Sequence, residues 1–164
     1  MSHKALEMTG LPSLGARGEG WVALQAIALV AVVAGTFYGS AWSGTPRWAA
    51  GAAGAVLLVA GLWLALRAIL DLGDSLTALP KPRRRATLIE RGVYRRIRHP
   101  IYGGVILCCL GWSLGAASFV SLGASAATAL VLLLKSVREE TWLAERYDGY
   151  RAYRTRTWRF LPWL

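Results

Sequence analysis

Charged residues and cysteines are scarce in this chain. Of its 164 residues, 17% are charged and only two are cysteine, whereas a typical soluble domain is about 25% charged. Cys108 and Cys109 are adjacent within an apolar run, and neighbouring helical side chains point apart, so neither a disulfide nor a metal site is predicted. These shortages exclude a disulfide-framework domain, and the length allows a single domain.

Acidic residues are scarce as well. Nine Asp and Glu against 19 Lys and Arg give a net charge of +10, while 55% of the residues are hydrophobic and the mean hydropathy is +0.40. Nucleic-acid binding is not expected, because the arginines lie between apolar blocks too long for a solvated basic face. An apolar and basic chain is typical of a membrane protein with its arginines in the cytosol.

Four apolar blocks predict four transmembrane helices, and they cover residues 21–42, 48–70, 101–117 and 119–134. The first block reaches about 33 Å as a helix, enough for a bilayer core of roughly 30 Å. Residues 141–164 are amphipathic and predict an interfacial helix lying on the membrane. The predicted fold is therefore an all-α, polytopic membrane domain that comprises residues 1–164.

Basic residues set the predicted orientation. Residues 71–98 carry eight Lys and Arg, and the chain from Lys135 onward carries seven. The turn after the first block has only Arg47, and the turn after the third has none. The positive-inside rule therefore places the loop and both termini in the cytosol, with the loop touching anionic headgroups. An Ala-, Gly- and Arg-rich composition favours a bacterial inner membrane.

These predictions divide the domain into five segments. They are a cytosolic N-terminal segment (1–20), spans one and two (21–70), a basic cytosolic loop (71–98), a helical hairpin with a cofactor site (99–140) and an amphipathic tail (141–164).

A candidate ligand site lies where the third span begins. Pro100 suits the first helical position, and His99 before it favours an extended conformation. The free N–H groups of a helix N-terminus attract an anion such as a carboxylate, and Arg98 could add a charge-assisted bond. Tyr102 offers a flat ring with a hydroxyl group. Gly103 and Gly104 leave room for a ligand beside the backbone. A plain helix start explains this segment equally well.

A second candidate is the acidic pair Glu139 and Glu140, just beyond the fourth span. Alone, the pair is typical of solvated side chains with local arginine partners. Spans three and four, however, are joined by a short outer turn and predict an antiparallel hairpin, which brings His99 and Tyr102 near the pair. An anion-binding helix end beside two carboxylates suits a zwitterion with an additional positive charge, such as S-adenosylmethionine.

The chain resembles the isoprenylcysteine carboxyl methyltransferase / phospholipid methyltransferase family over residues 72–162. The matching segments are L-G-D-S-L-T-A-L-P-K-P at 72–82, G-x-Y at 92–94, R-H-P-x-Y-x-G at 98–104, E-E at 139–140, Y-x-x-Y-x-x-Y at 147–153 and F-L-P at 160–162. The resemblance implies a small helical membrane enzyme that binds S-adenosylmethionine in a cytosolic site. The cofactor contacts it implies are His99, Tyr102, Gly104, Glu139 and Glu140.

The predicted reaction is methyl transfer from S-adenosylmethionine to a lipophilic acceptor, such as a prenylated carboxylate or a lipid amine. An amine must lose a proton, and Glu140 is the predicted catalytic base. Two alternatives stay open. An NADPH-dependent membrane reductase would bind its cofactor phosphates with the arginine-rich loop, and a non-enzymatic adaptor would use that loop to hold anionic lipids or a partner.

Overall fold

A computed structural model describes residues 11–38, 42–43, 45–81 and 87–162. Within these residues the chain forms five α-helices: α1 (Glu19–Ala34), α2 (Thr45–Leu72), α3 (Pro100–Gly115), α4 (Phe119–Arg146) and α5 (Tyr150–Thr155). Two short 3₁₀ turns, Gly73–Ser75 and Gly92–Arg95, lie between α2 and α3. The described residues contain no β-strand, which confirms the all-α prediction.

Two of the helices are long and apolar enough to cross a membrane. They are α2 and α4, each of 28 residues, whereas α1 and α3 are apolar helices of 16 residues. On α2, Val56, Val59 and Trp63 are each more than 60% exposed, and apolar patches of this kind are typical of lipid or protein contact. The arrangement with four transmembrane helices stays a prediction.

The C-terminal third of the chain differs from its prediction. α4 continues beyond residue 134 to Arg146, so Glu139 and Glu140 lie inside this helix and not just past its end. The two acids therefore lie clear of the last turn, where the helix dipole would disfavour negative charge. The long interfacial helix is not formed: residues 141–146 belong to α4, and α5 has six residues with Tyr150 buried against the protein.

Glycines bring α2 and α3 into close contact. A Cβ at Gly111 would lie 2.6 Å from the carbonyl oxygen of Gly54, and a Cβ at Gly104 would lie 2.7 Å from that of Gly61. Contacts this short exclude any side chain, because real Cβ atoms do not approach backbone so closely. Small residues let helices approach in this way within lipid, where van der Waals packing drives their association.

α3 and α4 form the predicted antiparallel hairpin. Three residues connect them, with Ala117 in a left-handed conformation (φ 53°) and Ser118 capping α4 by accepting the Ser121 N–H at 3.1 Å. An N-cap serine satisfies one of the free N–H groups at a helix start. The start of α3 consequently lies beside Glu139 and Glu140 of α4, at the end of the hairpin here called the hairpin base.

Candidate functional site

The C-terminal segment, residues 150–162, fixes the start of α3. His99 precedes Pro100, the first residue of the helix, and the His99 N–H donates to the carbonyl of Arg159 at 2.8 Å. The Arg98 N–H donates to the carbonyl of Trp158, and the Trp158 N–H donates to that of Arg96, each at 2.8 Å. Residues near 97 and 158 thus pair as in a parallel sheet. The His99 N–H is therefore not free to bind an anion.

A cavity opens at the hairpin base. It encloses about 790 Å³ with its open mouth included, of which about 120 Å³ admits the centre of a water molecule. Its wall is formed by the loop after α2, the start of α3, α4 beyond the apolar part, and α5. The lining residues are Leu72, Ser75, Thr77, Pro80, Thr87, Leu88, Ile89, Tyr94, Arg98, His99, Ile101, Tyr102, Glu139, Leu143, Tyr147, Tyr150 and Tyr153.

Glu139 is the carboxylate that lines this cavity. The Tyr102 hydroxyl donates to its Oε2 at 2.7 Å, and His99 Nδ1 lies 3.8 Å from the same atom. The rings of His99 and Tyr102 stack with centroids 5.3 Å apart and an interplanar angle of 5°, and Phe160 packs against both. These rings hold the Glu139 carboxylate in one position while leaving its side chain 21% exposed.

Lys135, one turn before Glu139 on α4, supports this arrangement from behind. Its side chain is 2% exposed, and its ammonium donates to Gln25 Oε1 on α1 at 2.6 Å. The ammonium also lies 5.0 Å from the centroid of the Tyr102 ring, within range of a cation–π interaction. The lysine therefore ties α1 to the ring that orients Glu139.

Glu140 points to the other side of α4 and is 3% exposed. Its carboxylate accepts from Arg98 Nε at 3.0 Å and lies 3.3 Å from His99 Nε2. Arg154 Nε lies 3.2 Å and Arg159 Nε 3.4 Å from the same carboxylate. Arg98 itself donates to the carbonyls of residues 154 and 157. Glu140 is thus a clamp that holds the C-terminal segment against the hairpin base.

This placement does not favour the prediction that Glu140 is the catalytic base. The carboxylate does not line the cavity, and three guanidinium groups stabilise its charged form. A carboxylate so surrounded is a poor proton acceptor, because neighbouring positive charges favour ionisation. Arg98 lines the cavity, next to the start of α3 where the sequence places it. Its guanidinium, however, already donates hydrogen bonds to Glu140 and to backbone carbonyls.

The two glycines predicted to leave room for a ligand serve protein packing. A Cβ at Gly103 would lie 2.2 Å from the carbonyl oxygen of Phe160, and one at Gly104 would lie 2.8 Å from the Cβ of Ala65 on α2. Neither glycine lines the cavity. The neighbouring helix is therefore a sufficient steric reason for Gly104, while the cofactor contact of either glycine stays a prediction.

Four tyrosines that line the cavity were not among the predicted site residues. Tyr94, Tyr147, Tyr150 and Tyr153 all face it, and the last three were expected to lie on a membrane-facing helix. The spacing of three residues between Tyr147, Tyr150 and Tyr153 was the signal that could have identified them, since residues so spaced lie on one face of a helix. Burial raises the pKa of Tyr94, Tyr150 and Tyr153, so their hydroxyls stay neutral.

The described residues contain no cluster of three or more His, Cys, Asp or Glu that could bind a metal ion. An apolar groove lies between α3, α4 and the chain at residues 157–160. It is lined by Arg98, Ile106, Ala129, Leu130, Leu133, Thr157, Trp158, Arg159 and Phe160, and encloses about 1170 Å³ with its open side included.

A protein-family profile matches the part of the chain that contains the helical hairpin. The profile of the phospholipid methyltransferase family aligns with residues 49–149, which span α2, α3, α4 and the loop that lines the cavity. No curated protein matches the chain. Because the match covers more than half of the chain, the protein belongs to the phospholipid methyltransferase family.

Proposed function

We propose that this membrane methyltransferase transfers the methyl group of S-adenosylmethionine to a lipophilic acceptor, and that the donor binds in the cavity at the hairpin base. The observation that carries the proposal is the Glu139 carboxylate, held by Tyr102 and His99 at the wall of a tyrosine-lined cavity. Family membership supports methyl transfer in general.

The cavity residues suit the chemistry of this donor. Its sulfonium and ammonium groups are positive, and a carboxylate with aromatic faces around it complements such charges. The adenine ring would find flat apolar partners among Tyr94, Tyr147 and Tyr153. A site of mostly apolar lining with few polar groups is typical of small-molecule binding.

The chain's own contribution to the reaction is alignment and exclusion of water. The bound donor supplies an activated methyl group for in-line displacement. α5 covers the cavity and is held there by the Tyr153 hydroxyl, which donates to the Tyr94 carbonyl at 2.7 Å. Holding two reactants in line converts a bimolecular step into an effectively unimolecular one. If the acceptor is an amine, Glu139 replaces Glu140 as the proposed base, because it is the carboxylate that lines the cavity.

The apolar groove supports a lipophilic acceptor. Ile106, Leu130 and Leu133 on the facing sides of α3 and α4 line it, and it shares Arg98 with the cavity. An acceptor chain lying in this groove would be reached from the bilayer while the donor is reached from the cytosol. Incubation with labelled methyl donor and lipid extract would identify the acceptor class.

The reductase alternative is less well supported. The family match supports methyl transfer and gives no support to hydride transfer. The arginines to which this alternative assigns the cofactor phosphates, residues 83–85, lie outside the described residues. The adaptor alternative does not explain a carboxylate positioned at a cavity wall. We therefore favour the methyltransferase over both.

Binding at the donor site can be measured on detergent-purified protein with S-adenosylhomocysteine, the product that the donor becomes after methyl transfer. Glu139→Gln is expected to weaken its affinity about ten- to a hundredfold, because losing a hydrogen bond to a charged ligand group costs about 1.5–3 kcal/mol. Isothermal titration calorimetry gives the affinities. Glu145→Gln, an exposed acid on the same helix, is the matched control and should bind like the unmodified protein. Tight NADPH binding without S-adenosylhomocysteine binding would reject the proposal.

The cavity is proposed to face the cytosol of a bacterial inner membrane. Thr155 and Ser75 lie at the cavity end of the molecule, whereas the N–H of Trp42, next to Ser43, donates to Ala117 at the opposite end of the hairpin. A membrane-impermeant maleimide added to intact cells is expected to label Ser43→Cys and to miss Thr155→Cys, in a background lacking Cys108 and Cys109. Labelling of Thr155→Cys would reverse the proposed orientation.

A further inference from the structure

Tyr150 carries a buried hydroxyl that no protein group satisfies. The residue lies at the start of α5, lines the cavity and is 1% exposed. Within residues 11–38, 42–43, 45–81 and 87–162, its hydroxyl oxygen has no hydrogen-bond partner. Buried polar groups in folded proteins are nearly always paired, so an unpaired one requires a physical explanation.

Two other tyrosines of the cavity, Tyr102 and Tyr153, provide a direct comparison. The Tyr102 hydroxyl donates to Glu139 and the Tyr153 hydroxyl donates to the Tyr94 carbonyl, each at 2.7 Å. Tyr153 is three residues from Tyr150 on the same short helix, and the two rings lie 5.9 Å apart. The protein therefore satisfies one hydroxyl of this pair and leaves the other, on a residue that lines the cavity, without a partner among the described residues.

The unpaired hydroxyl is a donor at neutral pH. Burial is the main cause that raises the pKa of Tyr150, and the nearby carboxylate of Glu140 acts in the same direction. The side chain consequently stays protonated. A neutral phenol in a largely apolar wall complements a ligand that presents a hydrogen-bond acceptor at that point of the cavity.

We propose that the Tyr150 hydroxyl donates a hydrogen bond to the bound methyl donor and is a binding residue of the donor site. The inference rests on the proposed function, because it takes the cavity to be the donor site. The lipophilic acceptor is the less suitable partner, because Tyr150 does not line the apolar groove in which the acceptor chain is proposed to lie. The cofactor is thus expected to complete the hydrogen bonding of α5 over the cavity.

The test compares Tyr150→Phe with Tyr153→Phe, since each removes one hydroxyl and keeps the ring. Tyr150→Phe is expected to weaken S-adenosylhomocysteine binding about three- to tenfold, the effect of one neutral hydrogen bond. Its melting temperature without ligand should be unchanged or higher, because a buried unpaired group has been removed. Tyr153→Phe should melt at a lower temperature, because the bond to Tyr94 is lost.

Calorimetry and thermal melting on the same purified samples separate the outcomes. If the unmodified protein binds S-adenosylhomocysteine and Tyr150→Phe binds it equally well, the assignment of Tyr150 is wrong while the proposed function stands. A lower melting temperature for ligand-free Tyr150→Phe would also overturn it, because the hydroxyl would then have a protein partner. If the unmodified protein does not bind the ligand at all, the proposed function itself fails.

Discussion

Glu140→Ala is expected to destabilise the protein by about 3 kcal/mol and to release its C-terminal segment. Removing one partner of a buried ion pair costs roughly 3–5 kcal/mol, because the remaining charge stays buried without compensation. The lower value applies here, since Arg154 is 50% exposed and solvent screens its charge. Arg98, at 10% exposure, would be left as the uncompensated buried charge. Thermal melting in detergent measures the loss of stability.

Limited trypsin digestion reports the release of the segment. Arg154, Arg156 and Arg159 lie in residues that the clamp holds down, so Glu140→Ala should be cleaved there well before the unmodified protein. The matched control is Glu145→Ala, because Glu145 is exposed on the same helix, and its melting temperature and cleavage pattern should not change. An unaltered melting temperature and cleavage pattern in Glu140→Ala would show that Glu140 does not anchor the segment.

Gly104→Leu is expected to prevent correct assembly of α2 against α3. Even a Cβ at this position would lie 2.7 Å from the Gly61 carbonyl oxygen and 2.9 Å from the Ala65 backbone nitrogen. These are backbone atoms and cannot move aside without separating the helices. Overpacking a tight interface costs about 1–3 kcal/mol for a few added methylene groups. We therefore expect Gly104→Ala to lower the melting temperature, and the leucine variant to aggregate or elute as misfolded protein.

The measurement pairs size-exclusion chromatography in detergent with thermal melting. Gly123→Ala is the matched control, because nothing lies within 4 Å of a Cβ at this glycine of α4. Since alanine is about 1 kcal/mol better than glycine inside a helix, this variant should be as stable as the unmodified protein or more so. A Gly104→Leu protein that melts normally and loses only S-adenosylhomocysteine binding would instead support a ligand contact at Gly104.

The two acidic neighbours show what a pattern can and cannot determine. The hairpin prediction correctly placed Glu139 and Glu140 beside the start of α3, because two helices joined by a short turn must bring their far ends together. Adjacent residues on a helix, however, point about 100° apart. Which carboxylate lines the cavity and which meets the arginines depends on the rotation of α4 about its axis. Packing against α1, α3 and the C-terminal segment fixes that rotation.

Gly104 illustrates the same division. A glycine in the first turn of a helix indicates a close approach by some other group, either a ligand or a neighbouring helix, and the interpretation of the sequence favoured the ligand. The structure places α2 there, with the Gly61 carbonyl oxygen and the Ala65 Cβ as neighbours. The identity of the approaching group is a long-range property, because residues 73–99 separate the two helices along the chain.

The sequence by itself determined the all-α fold, the hairpin and the family, because helical periodicity, short turns and local motifs are encoded by neighbouring residues. It did not determine the length of α4, since Lys135 ends the apolar run without ending the helix. Only the tertiary structure decided that Tyr150 and Tyr153 line a cavity, because an amphipathic face can be buried by lipid or by protein. The C-terminal segment was directed to protein by arginines that pair with Glu140.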